Sequence, residues 1–183
     1  LGFRPFYLLA ALLAVFFVPA WILLLSGVGQ LTPAMPVLLW HGHELVFGFA
    51  CAVIVGFLLT AAKNWTGLQT SFGAPLAALA GLRLLGRIAL LVAPPLPAAL
   101  IDLAFLPVAG VLLARVLIRA GSRRNYFALA ILALLVLANA LTHAGAQGWL
   151  AVSPLLGLHL GIALILMLVT YVPQFSMWLP DLV

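Results

Sequence analysis

The sequence predicts an all-α fold: a polytopic membrane helix bundle of about six transmembrane helices, with a cytoplasmic N-terminus. Three observations carry this reading. The 183 residues are 67% hydrophobic and 6% charged, whereas soluble domains run near half apolar and a quarter charged. The apolar residues gather into runs close to the roughly 20 residues that a helix needs to cross a bilayer. Lys and Arg collect at alternate ends of those runs, as in membrane proteins of fixed orientation. The mean hydropathy is +1.32, and no water-soluble core could hide this much apolar surface. Only helices or closed barrels satisfy backbone groups in lipid. The runs are uniformly apolar, without the alternation of a barrel strand.

The elements follow in order. The first span covers about residues 6–25 and is followed by SGVGQLTPAMP, where Gly and Pro break the helix. The second covers about 41–62 and ends before KNWTGLQTSFGAP. The third covers about 76–93, and PPLP after it reads as a tight turn. The fourth covers about 98–118 and leads into the short basic loop RAGSRRN. The fifth covers about 127–146, then AQGWLAVSP supplies turn residues. The sixth covers about 155–172. No internal repeat, low-complexity stretch or soluble domain interrupts them, so residues 1–183 read as one transmembrane helical domain. The chain starts at Leu1 with the first span almost immediately behind it, and lacks the charged start and cleavage site of a signal peptide. It is expected to be a fragment or a trimmed chain.

The net charge of +5 is a topology signal rather than a nucleic-acid footprint. With the N-terminus inside, the inner ends hold Arg4, Lys63, Arg115, Arg119, Arg123 and Arg124. The outer loops, about 26–40, 94–97 and 147–154, hold no Lys or Arg. The Asn64-Trp65-Thr66 sequon then falls inside, where it carries no glycan. Cys51 is the single cysteine and lies within a span, so no intrachain disulfide forms. The expected solvent is the lipid bilayer, and nucleic acid is excluded as a partner. No nucleophile with a base, phosphate loop or nucleotide motif points to a catalytic activity.

The polar residues inside the spans carry the functional signal, because ionisable groups in a membrane are costly and are read as functional by default. His41, His43 and Glu44 open the second span, His143 closes the fifth, and His159 sits a turn into the sixth. All four histidines thus fall in the expected outer half. At about 100° per residue, His41 and His43 point about 160° apart, so one helix cannot aim both at one ion. His41 and Glu44 share a face, with Gly48 a turn along it. Imidazole suits haem iron, copper and zinc. Two histidines on different helices, such as His41 or His43 with His143 or His159, suit a bis-histidine haem. Three or four ligands from the same set suit zinc or copper. Each histidine alone reads equally as an interfacial hydrogen-bonding residue. Glu44 and Asn139 are placed to orient a ligating imidazole. Arg83 and Arg87 share one face of the third span and could hold an anion such as a haem propionate. Arg87 and Asp102 should meet at similar depth as an ion pair, which also serves as a plain lock between helices.

Several ordered motifs resemble the NnrS family: FRPFYLLA at 3–10, WHGHELVFGFACAVIVGFLLTAAKNWTG at 40–67, the Arg83/Arg87 pair, IDLAFLPV at 101–108 and RRN in the basic loop. The family's usual form is WHAHEM, then a glycine-rich span and NWTG; here Gly42 replaces Ala and Leu45 replaces Met. The resemblance covers about residues 1–150. It implies a multi-pass protein of the bacterial inner membrane, tied to nitric-oxide and denitrification stress and containing haem and copper. It marks His41, His43 and Glu44 as the family's signature polar cluster. Family members are about twice this length, with about twelve spans, so the chain corresponds to an N-terminal half. A second copy or another membrane subunit is then an expected partner. The last ~15 residues depart from the family and are more similar to the end of a TRAP-type transporter large subunit. The alternatives are a half-transporter and a structural or assembly subunit without cofactor.

Overall fold

The structure is a computed structural model that describes residues 4–27 and 32–171. Every regular element among them is helical. Helix α1 is Arg4–Leu25. Helix α2 is one continuous segment, Val37–Thr66, in which α-helical Val37–His43 passes into a π-helical stretch, Glu44–Ala50, and then into α-helical Cys51–Thr66. Helix α3 is Ala74–Val92, and α4 is Pro95–Arg119. A 3₁₀ turn, Arg123–Tyr126, leads into α5, Phe127–Ala146. Helix α6 is Pro154–Tyr171.

Five of these, α1 to α5, are long and apolar enough to cross a membrane, and α6 is apolar but shorter over Pro154–Thr170. The expected end of the sixth span at Val172, and the divergent tail beyond it, lie outside the described residues. The chain is thus a polytopic membrane helix bundle. One boundary differs in an informative way. The stretch PPLP is not a turn of its own, because Pro95 already opens α4. Proline is tolerated in the first turn, where its missing N–H has no intrahelical partner in any case. The link from α3 to α4 is therefore only Ala93 and Pro94, and the two helices form a tight antiparallel hairpin. At the opposite end of α2, Gly67 adopts φ 68° and donates its N–H to Lys63 O at 2.8 Å, the left-handed cap that glycine permits without strain.

Helix α2 forms the axis of the bundle. Of its most apolar stretch 72% is buried, against 11% for α1. Its inner face carries Phe47, Cys51, Val55, Leu58, Leu59 and Ala62 into the core. The other helices turn Phe16, Leu84, Leu100, Val111, Leu137 and Leu166 outward. On a soluble domain such a girdle would aggregate; in a bilayer it is the solvated surface. The segment after α1 is strapped to one end of the bundle. Ala34 N–H donates to Leu90 O at 2.8 Å, and Gln147 donates its side-chain amide to Ala34 O.

Helices α5 and α6 pack most closely where Gly157 faces Ala138 and Thr142. A Cβ at Gly157 would overlap Ala138 O and the Thr142 backbone and hydroxyl, so the pair approaches as small residues allow in membranes. Gly157→Ala is expected to lower stability by about 1–3 kcal/mol through overpacking. Gly110→Ala, where a Cβ meets nothing within 4 Å, should be neutral or mildly stabilising. Thermal unfolding of the detergent-purified variants measures the contrast.

Candidate metal centre

The polar residues converge near one end of the bundle. Counting along each helix at about 1.5 Å per residue, His43, Arg87, Asp102 and His143 all lie within about three turns of that end. The reason is the alternation of helix direction: α2 and α4 start there, and α3 and α5 finish there. His43, Glu44, Arg87, Asp102, Asn139 and His143 are all buried, so their polar atoms can be satisfied only by one another.

Asp102 of α4 is the hub. Its Oδ2 accepts from His143 Nε2 at 3.0 Å and from Asn139 Nδ2 at 2.9 Å, both on α5. His43 Nε2 lies 3.2 Å from the same oxygen and donates to Asn139 Oδ1 at 2.8 Å. Its other oxygen, Oδ1, pairs with Arg87 Nη2. Arg87 also donates from Nη1 to Glu44 Oε1 at 2.6 Å. One guanidinium thus binds two carboxylates from two helices, a planar fork suited to that task. The α3–α4 hairpin, the central α2 and α5 are tied at one point.

The cluster contains a candidate ligand set. One atom each from His43, Asp102 and His143 lies within 4.8 Å of the others, and both imidazoles aim Nε2 at one carboxylate oxygen. An ion held at about 2.0–2.1 Å from three such donors, as zinc is, sets them roughly 3 Å apart. The observed 3.0 and 3.2 Å edges match that spacing. The His43 and His143 ring centroids are 5.0 Å apart, edge to face. Both Nε2 atoms already contact Asp102 Oδ2, at 3.0 and 3.2 Å, which leaves no gap between the two rings as they stand for a haem held by both. A single ion does fit. Behind His43, Nδ1 stands 3.7 Å from Glu44 Oε1, the direction in which a ligating imidazole usually meets a carboxylate.

The remaining singled-out residues lie elsewhere. His41 turns away from His43 and stacks on Trp21, with ring centroids 4.0 Å apart, and beside Phe17 at 5.0 Å. This agrees with the angular argument. His159 is exposed on the outer surface of α6 and does not reach the cluster. Arg83 is buried one turn before Arg87, with its guanidinium 4.9 Å from the Phe105 ring centroid. The face-sharing expected of Glu44 and His41 is replaced by a pairing of Glu44 with His43. A π-helical stretch begins at Glu44, and at its end Cys51 N–H reaches back five residues to Val46 O. Such wide turns recur at functional sites. Asp102 was legible as an ion-pair partner, but not as a ligand candidate shared by two imidazoles. The signal was its rarity, since it is one of three acidic residues in the chain.

The NnrS protein family matches residues 1–174. The chain belongs to the NnrS family. The match reaches further than the motifs of the first 150 residues and runs through α6. Neither a curated protein nor a solved structure matches the chain.

Removing the hub tests its structural weight. Asp102→Ala strands Arg87 Nη2, Asn139 and His143 without their shared acceptor. It should cost about 3–5 kcal/mol, the range for breaking a buried ion pair from one side. Asp102→Asn keeps the shape and should cost less. Denaturant titration in detergent micelles reads both.

Proposed function

We propose that this NnrS-family membrane protein holds one transition-metal ion on His43 Nε2, Asp102 and His143 Nε2, and serves the nitric-oxide or denitrification stress response to which the family resemblance points. The observation that carries the reading is the aim of two buried imidazoles from different helices at one carboxylate oxygen. Two histidines and one carboxylate suit zinc, copper(II) or non-haem iron(II). Three protein donors leave at least one coordination position open, as reactive rather than structural metal sites do. An ion on His43 Nε2 would leave the remaining ring proton on Nδ1, on the Glu44 side. Glu44 is itself anchored by Arg87 and stands 3.7 Å from that nitrogen, so its negative charge would favour the ligating tautomer. Asn139 would lose the hydrogen bond it accepts from His43 and keep the one it already donates to Asp102.

The cell location we propose is the bacterial inner membrane, crossed several times, with residues 1–183 acting as one helical domain. The loops at the polar end, between α1 and α2, α3 and α4, and α5 and α6, lack Lys and Arg. That end therefore faces the outside, and the N-terminus is cytoplasmic. Haem remains the family's implied cofactor, but the His43–His143 pair supports a single ion. A second reading, a lock between helices without metal, is favoured by the fact that Asp102 already has a full set of protein partners.

The deciding experiment is metal analysis of the detergent-purified chain with visible spectra, oxidised and reduced. Close to one metal per chain is expected. His43→Ala and His143→Ala should each weaken metal affinity by about tenfold or more, since even the residues behind a ligand contribute that much. His41→Ala and His159→Ala should leave metal content unchanged. A Soret band that shifts on reduction overturns the single-ion reading in favour of haem. A metal-free protein from metal-replete cells establishes the lock.

A further inference from the structure

Six exposed basic side chains, Arg4, Lys63, Arg115, Arg119, Arg123 and Arg124, lie at the end of the bundle opposite the metal cluster. Among the described residues none of them has an ion-pair partner, and the two carboxylate side chains, Glu44 and Asp102, are buried at the other end. Orientation in a membrane asks only that such charges lie on one side. Four of these are closer together than that requires. Arg115, Arg119, Arg123 and Arg124 fall within ten residues, at the end of α4 and in the 3₁₀ turn that leads into α5. Like charges gathered in this way repel unless an anion stands among them.

An apolar groove leads to the same place. It lies between α4 and α5, has a volume of about 410 Å³, and is walled from Leu106 to Ala114 on one helix and from Leu129 to Val136 on the other. Small residues make it hollow: a Cβ at Gly110 would meet nothing within 4 Å, and Ala133 on the facing wall is exposed. Leu106 is close to the middle of α4, and the stretch from there to Ala114 rises about 12 Å. That is nearly half of a hydrocarbon core about 30 Å thick. The groove is therefore about one leaflet deep, and it runs toward the basic end. Val111, Arg115 and Arg119 are spaced four apart and form one row along α4, with neighbouring Cβ atoms about 5–6 Å from each other. The row starts on the groove wall and ends among the arginines. A side chain as long as Arg115 lays its stem on apolar surface and carries its charge to the interface.

The occupant must be apolar through one leaflet and anionic at the interface. A soluble anion meets the second condition and has no use for the groove. A membrane helix of a second copy needs a seam through both leaflets, and beyond the mid-depth end of the groove Leu96 and Leu100 of α4 project outward. A zwitterionic lipid brings no net charge to offset four arginines. An anionic phospholipid meets both conditions: its acyl chain is linear and apolar, and its phosphate accepts several charge-assisted hydrogen bonds. Basic pockets between membrane helices hold headgroups of this kind. We infer that one anionic phospholipid, from the leaflet at this end (the cytoplasmic leaflet in the orientation proposed above), binds with an acyl chain in the α4–α5 groove and its phosphate among Arg115, Arg119, Arg123 and Arg124. The site shares no residue with the metal centre and does not depend on it.

The test is native mass spectrometry of the full chain in detergent, titrated with palmitoyl-oleoyl phosphatidylglycerol or with phosphatidylcholine of the same chains. One phosphatidylglycerol per chain should be retained, with about tenfold or more preference over phosphatidylcholine. Arg115→Gln with Arg119→Gln should weaken its retention about tenfold or more, since each basic residue near an anionic surface contributes about fivefold. Gly110→Leu and Ala133→Leu fill the groove from opposite walls, leave every arginine in place, and should each lower retention of phosphatidylglycerol. Arg4→Gln with Lys63→Gln removes the same charge from other helices and should change nothing. Melting temperature without lipid, and metal content, should match the unsubstituted chain throughout. Equal retention of the two lipids overturns the inference. So does unchanged retention in both groove variants, or a loss in the Arg4 and Lys63 pair as large as in the Arg115 and Arg119 pair. A lipid-free dimer that Gly110→Leu dissociates overturns the lipid in favour of a second copy.

Discussion

The organisation of this protein depends on one carboxylate. Asp102 lies in an apolar helix, in a medium that offers no water to compensate a charge. It must therefore be fully partnered by protein, and the partners come from three other helices: Arg87 from α3, His43 from α2, and Asn139 with His143 from α5. Packing between apolar helices in lipid gains little from hydrophobicity, since lipid tails are as apolar as leucine. The polar cluster supplies the directional contacts that packing lacks. It fixes which helices neighbour one another, and at what depth.

The central helix shows the same constraint from the other side. To serve the cluster, α2 must present two successive residues, His43 and Glu44, to the interior. A regular α-helix turns successive side chains about 100° apart, which splays such a pair. Both are buried, His43 toward Asp102 and Asn139 and Glu44 toward Arg87, and the helix widens into a π-helical stretch from Glu44 to Ala50. It places Gly48 where a side chain would collide with Glu44. The local distortion, the missing Cβ and the buried carboxylate are thus one arrangement rather than three features. His41, two residues earlier, turns to α1 and stacks on Trp21 and Phe17.

A site that is both a structural knot and the proposed ligand set is physically consistent. Ligands for a metal must be held in place before the ion arrives, and hydrogen bonds to neighbours are the usual means. Here the preorganising groups are Arg87 and Glu44, each buried and each bonded to the other. Arg83 stands outside this economy of charges. It is buried one turn before Arg87, with its guanidinium 4.9 Å from the Phe105 ring centroid.

Composition and the spacing of apolar runs determined the helical membrane class, because bilayer thickness sets helix length and lipid leaves the backbone no other choice. The distribution of Lys and Arg gave the expected orientation, and helical periodicity separated His41 from His43. The meeting of Arg87 with Asp102 was legible because a two- to four-residue link makes antiparallel neighbours whose charges must find each other. The convergence of His143 and His43 on one oxygen was not legible, nor was the exclusion of His159. Those depend on how α5 and α6 rotate about their own axes. Helix α6 has no amphipathic stripe to record which face turns inward, and the buried Asn139, Thr142 and His143 face of α5 marks an inward side without naming its partners. Only tertiary packing, through contacts such as Gly157 against Ala138 and Thr142, decides it.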